Sequence, residues 1–151
     1  MKILAENKKA YYNYQILEKF EAGLSLIGQE VKSIKSRGVS LASSYVIIRD
    51  EEVFWIGAKI PPYQPKNISA DYNSERSRKL LLKKTEIKYL IGKSKQKGLT
   101  LIPLRLYTKE GKIKLEFAIA KGKKKFDKRE LIKKREAKRE IERALKRGRL
   151  V

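Results

Sequence analysis

Leu99-Thr100-Leu101-Ile102-Pro103-Leu104-Arg105-Leu106-Tyr107, followed across the turn residues Glu110-Gly111 by Lys112-Ile113-Lys114-Leu115-Glu116-Phe117-Ala118-Ile119-Ala120, is the stretch that decides the fold. Ile113, Leu115, Phe117 and Ile119 alternate with Lys114 and Glu116, the period of a strand with one buried face. Two such runs joined across a glycine predict a hairpin. Pro103 cannot donate to a ladder, so its strand should have an edge or a bulge there.

The same period recurs upstream. Ile16, Phe20, Ala22, Leu24 and Leu26 occupy even positions against Lys19, Glu21 and Ser25, with Glu18 breaking the face and Gly23 marking a bulge or bend. Tyr45-Val46-Ile47-Ile48 and Val53-Phe54-Trp55-Ile56 flank the short acidic loop Asp50-Glu51-Glu52 as a second hairpin. Between them residues 28 to 37 switch to helical spacing, with Ile27, Val31 and Ile34 on one face and Gly38 suited to the cap. A second helix is expected from Thr85, with Ile87, Leu90 and Ile91 closing one end of a barrel and Gly98 stopping it. Residues 1–13 are short of core residues and read as an N-terminal arm.

The longest unpatterned segment runs from Pro61-Pro62 to Arg78, the kind of loop that is functional or mobile. It leads through Arg76, Arg78 and Lys79 into Leu80-Leu81-Leu82, a triple expected in the core. A leucine pointing outward there would offer a packing surface to a ribose or a base.

From Ala120 the character changes. Residues 121–151 carry 15 basic and 5 acidic side chains, so net charge +10 of the chain's +21 lies in its last fifth. Asp127 as N-cap and Glu130 three residues on predict a helix to about Arg147, but Leu131, Ile132, Ala137, Ile141, Ala144 and Leu145 give it only a narrow apolar stripe. Such a helix needs an anionic partner to hold it. Lys123, Lys124, Lys125, Lys128 and Arg129 surround Phe126, which suits a phosphate backbone and one stacked base; a Lys-rich run is equally the pattern of solvated surface.

Composition limits the chemistry. The chain of 151 residues has no Cys and no His, which excludes thiol and imidazole catalysis and zinc sites of the usual kind. Its carboxylates are mostly flanked by Lys or Arg, so a non-enzymatic protein without cofactors is expected. A pI near 10.1 is the footprint of a nucleic-acid binder. No apolar run is long enough to span a bilayer and the first residues lack a signal-peptide core, so a cytoplasmic protein, independent of membranes, is expected. Glu21, a carboxylate on the outer face of a basic protein, is either salt-bridged locally or aimed at donors such as base amino groups.

Several separated motifs carry a resemblance along almost the whole chain. They are Ala5-Glu6-Asn7-Lys8-Lys9-Ala10, Phe20-Glu21-Ala22-Gly23, Gly28-Gln29-Glu30-Val31-Lys32-Ser33, Ser44-Tyr45-Val46, Arg78-Lys79-Leu80-Leu81-Leu82, Lys97-Gly98-Leu99-Thr100-Leu101-Ile102-Pro103-Leu104 and Gly122-Lys123-Lys124-Lys125-Phe126-Asp127-Lys128-Arg129. In this order they resemble the SsrA-binding protein family, also called small protein B. The resemblance implies a mainly β fold with flanking α: an oligonucleotide-binding-type β-barrel with short helices (1–120) and a basic C-terminal helical tail (121–151).

It further implies a partner, transfer-messenger RNA, whose tRNA-like domain the body grips, and an action, rescue of stalled ribosomes by trans-translation. The tail would enter the decoding site and empty mRNA channel of the small subunit, with elongation factor Tu in the delivery complex and the protein a monomer. The expected RNA-binding residues are Asn7, Lys8, Lys9, Glu21, Lys32, Lys35, Arg76, Arg78, Lys79 and Leu81, of which Asn7, Glu21 and Leu81 match family positions tied to RNA. The decoding-site set is Gly122, Lys123, Lys124, Lys125, Phe126, Asp127, Lys128 and Arg129. Phe126 stands where relatives often have Tyr or His, which keeps stacking and removes a polar contact. The competing reading is a structural RNA-binding component of the ribosome.

Overall fold

The computed structural model describes residues 1–64, 71–123 and 134–143. The chain divides into two compact units, Met1–Lys121 and Gly122–Val151. In chain order the elements are β1 (Lys2–Glu6), α1 (Lys8–Asn13), β2 (Tyr14–Leu24), α2 (Gly28–Arg37), β3 (Tyr45–Arg49), β4 (Glu52–Ile56), β5 (Arg78–Leu81), α3 (Lys84–Ser94), β6 (Leu99–Lys109) and β7 (Lys112–Gly122). Mainly β with short helices is thus the observed class.

The strands run β1-β6-β3-β4-β5-β2-β7, and a further β6–β7 pairing closes six of them into a barrel. β6 makes closure possible. One of its edges carries β7 from Leu99↔Lys121 to Lys109↔Lys112. The other is shared between β3, at Val46↔Leu101, and β1, from Glu6↔Arg105 to Lys2↔Thr108.

The expected bulge is present: the β6–β7 register shifts between Pro103 and Arg105. Both hairpins turn through two residues with positive φ, Asp50 (51°) and Glu51 (62°), then Glu110 (53°) and Gly111 (76°). Two left-handed residues match the right-handed strand twist, so these turns hold register even where, as at Asp50-Glu51, no glycine is present.

The main core lies inside the barrel. It takes Val46, Trp55, Leu80, Leu106, Leu115 and Phe117 from the strands, and α2 and α3 add Ile34 and Leu90. A fully buried Leu, Ile or Phe is worth about 1.5–3 kcal/mol, so this set is a main apolar contribution to the stability of the first unit. A second cluster, Ala10, Ile102, Leu104, Ala118 and Ala120, lies on the opposite face of the β6–β7 hairpin. The small side chains of Ala118 and Ala120 leave room there for α1.

That packing corrects the reading of residues 1–13 as an arm: they form β1 and α1, elements too short to announce themselves by periodicity. α3 likewise starts earlier than its predicted cap at Thr85. Lys83 is its N-cap, and the Lys83 N–H donates to Glu86 Oε1 at 3.1 Å, so a carboxylate at N3 starts the helix without a hydroxyl cap. α3 also ends at Ser94, before Gly98. Gly23 has a different reason from a bulge: a Cβ there would sit 3.3 Å from Leu81 Cβ, its partner across the strands.

In the second unit, residues 134–143 are helical and all ten are exposed. Arg135, Arg139 and Arg143 recur every fourth residue along it. No helix of the described residues is long and apolar enough to cross a membrane.

Candidate nucleic-acid interface

Leu81 is the outward leucine. Arg78 and Leu80 point into the barrel while Lys79 and Leu81 face out, as strand alternation requires, and Leu81 is 55% exposed. Its neighbour on β2 is Gly23, two residues beyond Glu21. The predicted pair Glu21 and Leu81 therefore lies on adjacent strands of one barrel surface.

The Glu21 carboxylate accepts a hydrogen bond from the Tyr107 hydroxyl and one from Lys109 Nζ at 3.4 Å. The Tyr107 bond, together with the charges of Lys109 and Lys114, holds Glu21 below the ordinary carboxylate value although partial burial opposes this. Burial and the adjacent Glu21 push the Tyr107 phenol up, so it stays a donor. An ionised carboxylate offers about four acceptor sites, which leaves Glu21 able to accept from a ligand's amino groups.

Beside this cluster lies a cleft of about 350 Å³ lined by Gly23, Leu24, Leu26, Val31 and Leu81 together with Gly111, Lys112, Ile113 and Lys114. An apolar lining with two lysines among it is chemistry that suits a ribose or base next to its phosphates. Tyr107, Lys109, Lys112 and Lys114 were absent from the predicted set. The hairpin alternation held the signal: Ile113 and Leu115 turn inward, so Lys112 and Lys114 must turn outward, and Tyr107 pairs with Lys114.

The remaining predicted residues are dispersed. Lys8 and Lys9 are exposed on α1, and Lys32 and Lys35 on α2, where Lys32 Nζ lies 6.0 Å from the Tyr63 ring centroid. Lys79 is exposed and 3.6 Å from Glu52. Asn7 does not belong to the surface: it is 5% exposed and its Nδ2 donates to Pro103 O at 2.9 Å, while its backbone N–H donates to Leu104 O at 2.8 Å. It satisfies carbonyls left over at the β6 bulge, which explains an Asn there in structural terms.

Arg78 is also corrected. It is fully buried, with Nε 2.8 Å and Nη2 2.6 Å from Glu30 Oε2, Nη1 donating to Ala58 O at 2.7 Å and Nη2 to Ser74 O at 2.9 Å. Arg76 bonds the same carboxylate. Burial pushes Glu30 up, but bonds from Arg76, the Ile27 N–H and Arg78 outweigh it and hold the carboxyl below its ordinary value. A buried guanidinium with this set of partners cannot reach a phosphate. Gly122 ends β7 and Lys123 follows it, whereas Lys124, Lys125, Phe126, Asp127, Lys128 and Arg129 lie outside the described residues.

Residues 4–147 match the protein-family model described as SmpB protein. This chain belongs to the SmpB family. Among curated relatives, the SsrA-binding protein of Albidiferax ferrireducens is 53% identical over 143 residues, covering 95% of this chain and 91% of that protein. That of Thermosipho africanus is 50% identical over 150 residues, covering 99% and 100%. A solved structure described as "tmRNA-SmpB: a journey to the center of the bacterial ribosome" is similar at a TM-score of 0.64 and 43% identity, covering 80% of this chain and 84% of that one. That likeness supports the oligonucleotide-binding-type barrel seen here.

Proposed function

We propose that this protein binds transfer-messenger RNA and delivers it to stalled ribosomes for trans-translation, acting by binding alone. What carries this reading is the continuous SmpB match over residues 4–147, laid on a barrel whose outer surface sets Glu21 beside the Leu81 cleft. A folded RNA offers little readable major groove, so it is best held by shape, phosphate contacts and unstacked bases. The barrel provides the shape, Lys79, Lys109, Lys112 and Lys114 the phosphate contacts, and Leu81 the packing surface. Lys8, Lys9, Lys32 and Lys35 extend the positive surface along α1 and α2, with Arg76 held at its border by Glu30.

In this proposal the body completes a tRNA-like shape and the second unit follows ribosomal RNA. The Arg135, Arg139 and Arg143 row presents cationic groups at helical spacing, suited to successive phosphates along a channel. Phe126 stacks at the decoding site among Lys123, Lys124, Lys125, Lys128 and Arg129, with Gly122 preceding the run and Asp127 interrupting it. The working form is a cytoplasmic monomer, joined by elongation factor Tu during delivery.

The test is to purify the protein from its own cells and sequence the RNA that accompanies it, while quantifying it across ribosome fractions. Transfer-messenger RNA with substoichiometric occupancy of ribosomes supports the proposal. One copy on every ribosome, without that RNA, would make it a structural component instead.

A further inference from the structure

We propose that Glu30 and Arg78 are positioning residues for RNA recognition, their buried pair fixing β5 so that Lys79 and Leu81 stand at the place where the RNA is held. The proposal rests on the reading of the Glu21–Leu81 surface as RNA-binding and adds two residues that touch no RNA.

β5 is short, and besides the burial of Leu80 and the Ser25 N–H bond to Lys79 O at 3.0 Å its anchorage is a brief ladder on each side. It spans four residues and registers with β2 only at Gly23↔Leu81 and Leu24↔Leu80, and with β4 only at Phe54↔Lys79 and Trp55↔Arg78. At its first residue the guanidinium of Arg78, 0% exposed, meets the carboxylate of Glu30, also 0% exposed. A planar fork bonded at several atoms sets orientation as well as distance, which a flexible ammonium would not.

The same carboxylate gathers everything around β5. Glu30 Oε1 accepts from the Ile27 N–H at 3.1 Å, fixing the start of α2, and Oε2 accepts from the Tyr72 hydroxyl at 3.3 Å. Tyr72 also donates to Ile60 O at 2.9 Å, and Arg78 ties in Ala58 and Ser74. One acidic group thus links α2, both flanks of the segment before β5, and β5 itself. Three residues along an extended strand separate Arg78 from Leu81, roughly 10 Å, so a shift at the first is carried to the second.

Two measurements on Glu30→Gln test this, both below its melting midpoint. Backbone amides of Lys79–Leu81 should exchange at least about tenfold faster than in the parent while those of β6 and β7 keep their rates. Uniform acceleration throughout the barrel would mean only general destabilisation and overturn the proposal. In RNA binding to the isolated tRNA-like domain, Glu30→Gln should lose about tenfold, and Leu81→Ala should cost about tenfold in the parent but less than about twofold in the Glu30→Gln background.

A Leu81→Ala loss of equal size in both backgrounds overturns the positioning role alone. No loss in the parent overturns the RNA reading and this proposal with it. Should Glu30→Gln not fold, Tyr72→Phe removes one hydroxyl from the cluster and leaves its charges. Coupling to Leu81→Ala of at least about twofold then supports the role, and strict additivity contradicts it.

Discussion

The barrel unit buries Trp55, Leu106, Leu115 and Phe117 completely, whereas every residue of the helix at 134–143 is exposed. Net charge is nearly equal in the two parts of the chain, +11 over residues 1–120 and +10 over 121–151, so charge alone does not separate their tasks. Burial does. A surface fixed by its own core can present Glu21, Leu81 and the lysines around them in one geometry before any ligand arrives. A helix without a core contributes charge at fixed spacing and takes its support from whatever it binds. On the proposed function, shape recognition falls to the first unit and tracking of a polyanionic channel to the second.

The contrast can be broken most severely by cutting the chain. Truncation after Lys121 is expected to abolish tagging of stalled peptides in a reconstituted translation reaction and to leave thermal melting of the barrel unchanged. A lower melting midpoint would show that the second unit supports the first. Salt comes next: affinity of the whole chain for transfer-messenger RNA should fall on the order of a thousandfold between 50 and 200 mM, as for proteins making many phosphate contacts. A flat response would remove the electrostatic part of the account.

Within the barrel, Glu30→Ala leaves Arg78 buried without its counter-charge and should destabilise by about 3–5 kcal/mol in urea denaturation. Because the folded carboxyl lies below its ordinary value of 4.5, its contribution is complete above that pH and is lost as the pH falls further. Glu30→Gln should accordingly flatten acid denaturation in that range. The smallest change in stability belongs to Leu81→Ala, within about 0.5 kcal/mol of the parent because the side chain is exposed, although RNA binding should weaken about tenfold. A large stability loss there would place Leu81 in the core after all.

How much of this could be read beforehand depended on whether the deciding signal was local. The β6–β7 hairpin, the bulge at Pro103, and the limits of α2 at Gly28 and Arg37 all follow from periodicity and single residues, and the structure has them. Arg78 failed because it sits between Arg76 and Lys79 and reads as surface charge, while its partner Glu30 is 48 residues away. Its parity with Leu80 was the available clue, since alternate residues of a strand share a face. Asn7 failed for a related reason: the carbonyls it satisfies exist only because β6 bulges 96 residues later. Of the candidate surface, the outward face of Glu21 and the option of an outward leucine in the Leu80-Leu81-Leu82 triple were legible, and the bond between Glu21 and Tyr107 was not, because it joins strands 86 residues apart.

The division between the two units is tested most directly by one comparison: the affinity of the chain truncated after Lys121 and of the whole chain for the isolated tRNA-like domain, at a single salt concentration. Affinities within about threefold of each other are predicted, since the surface around Glu21 and Leu81 is complete in the first unit. A loss of about a hundredfold on truncation would place the principal RNA contact in the second unit and contradict the account.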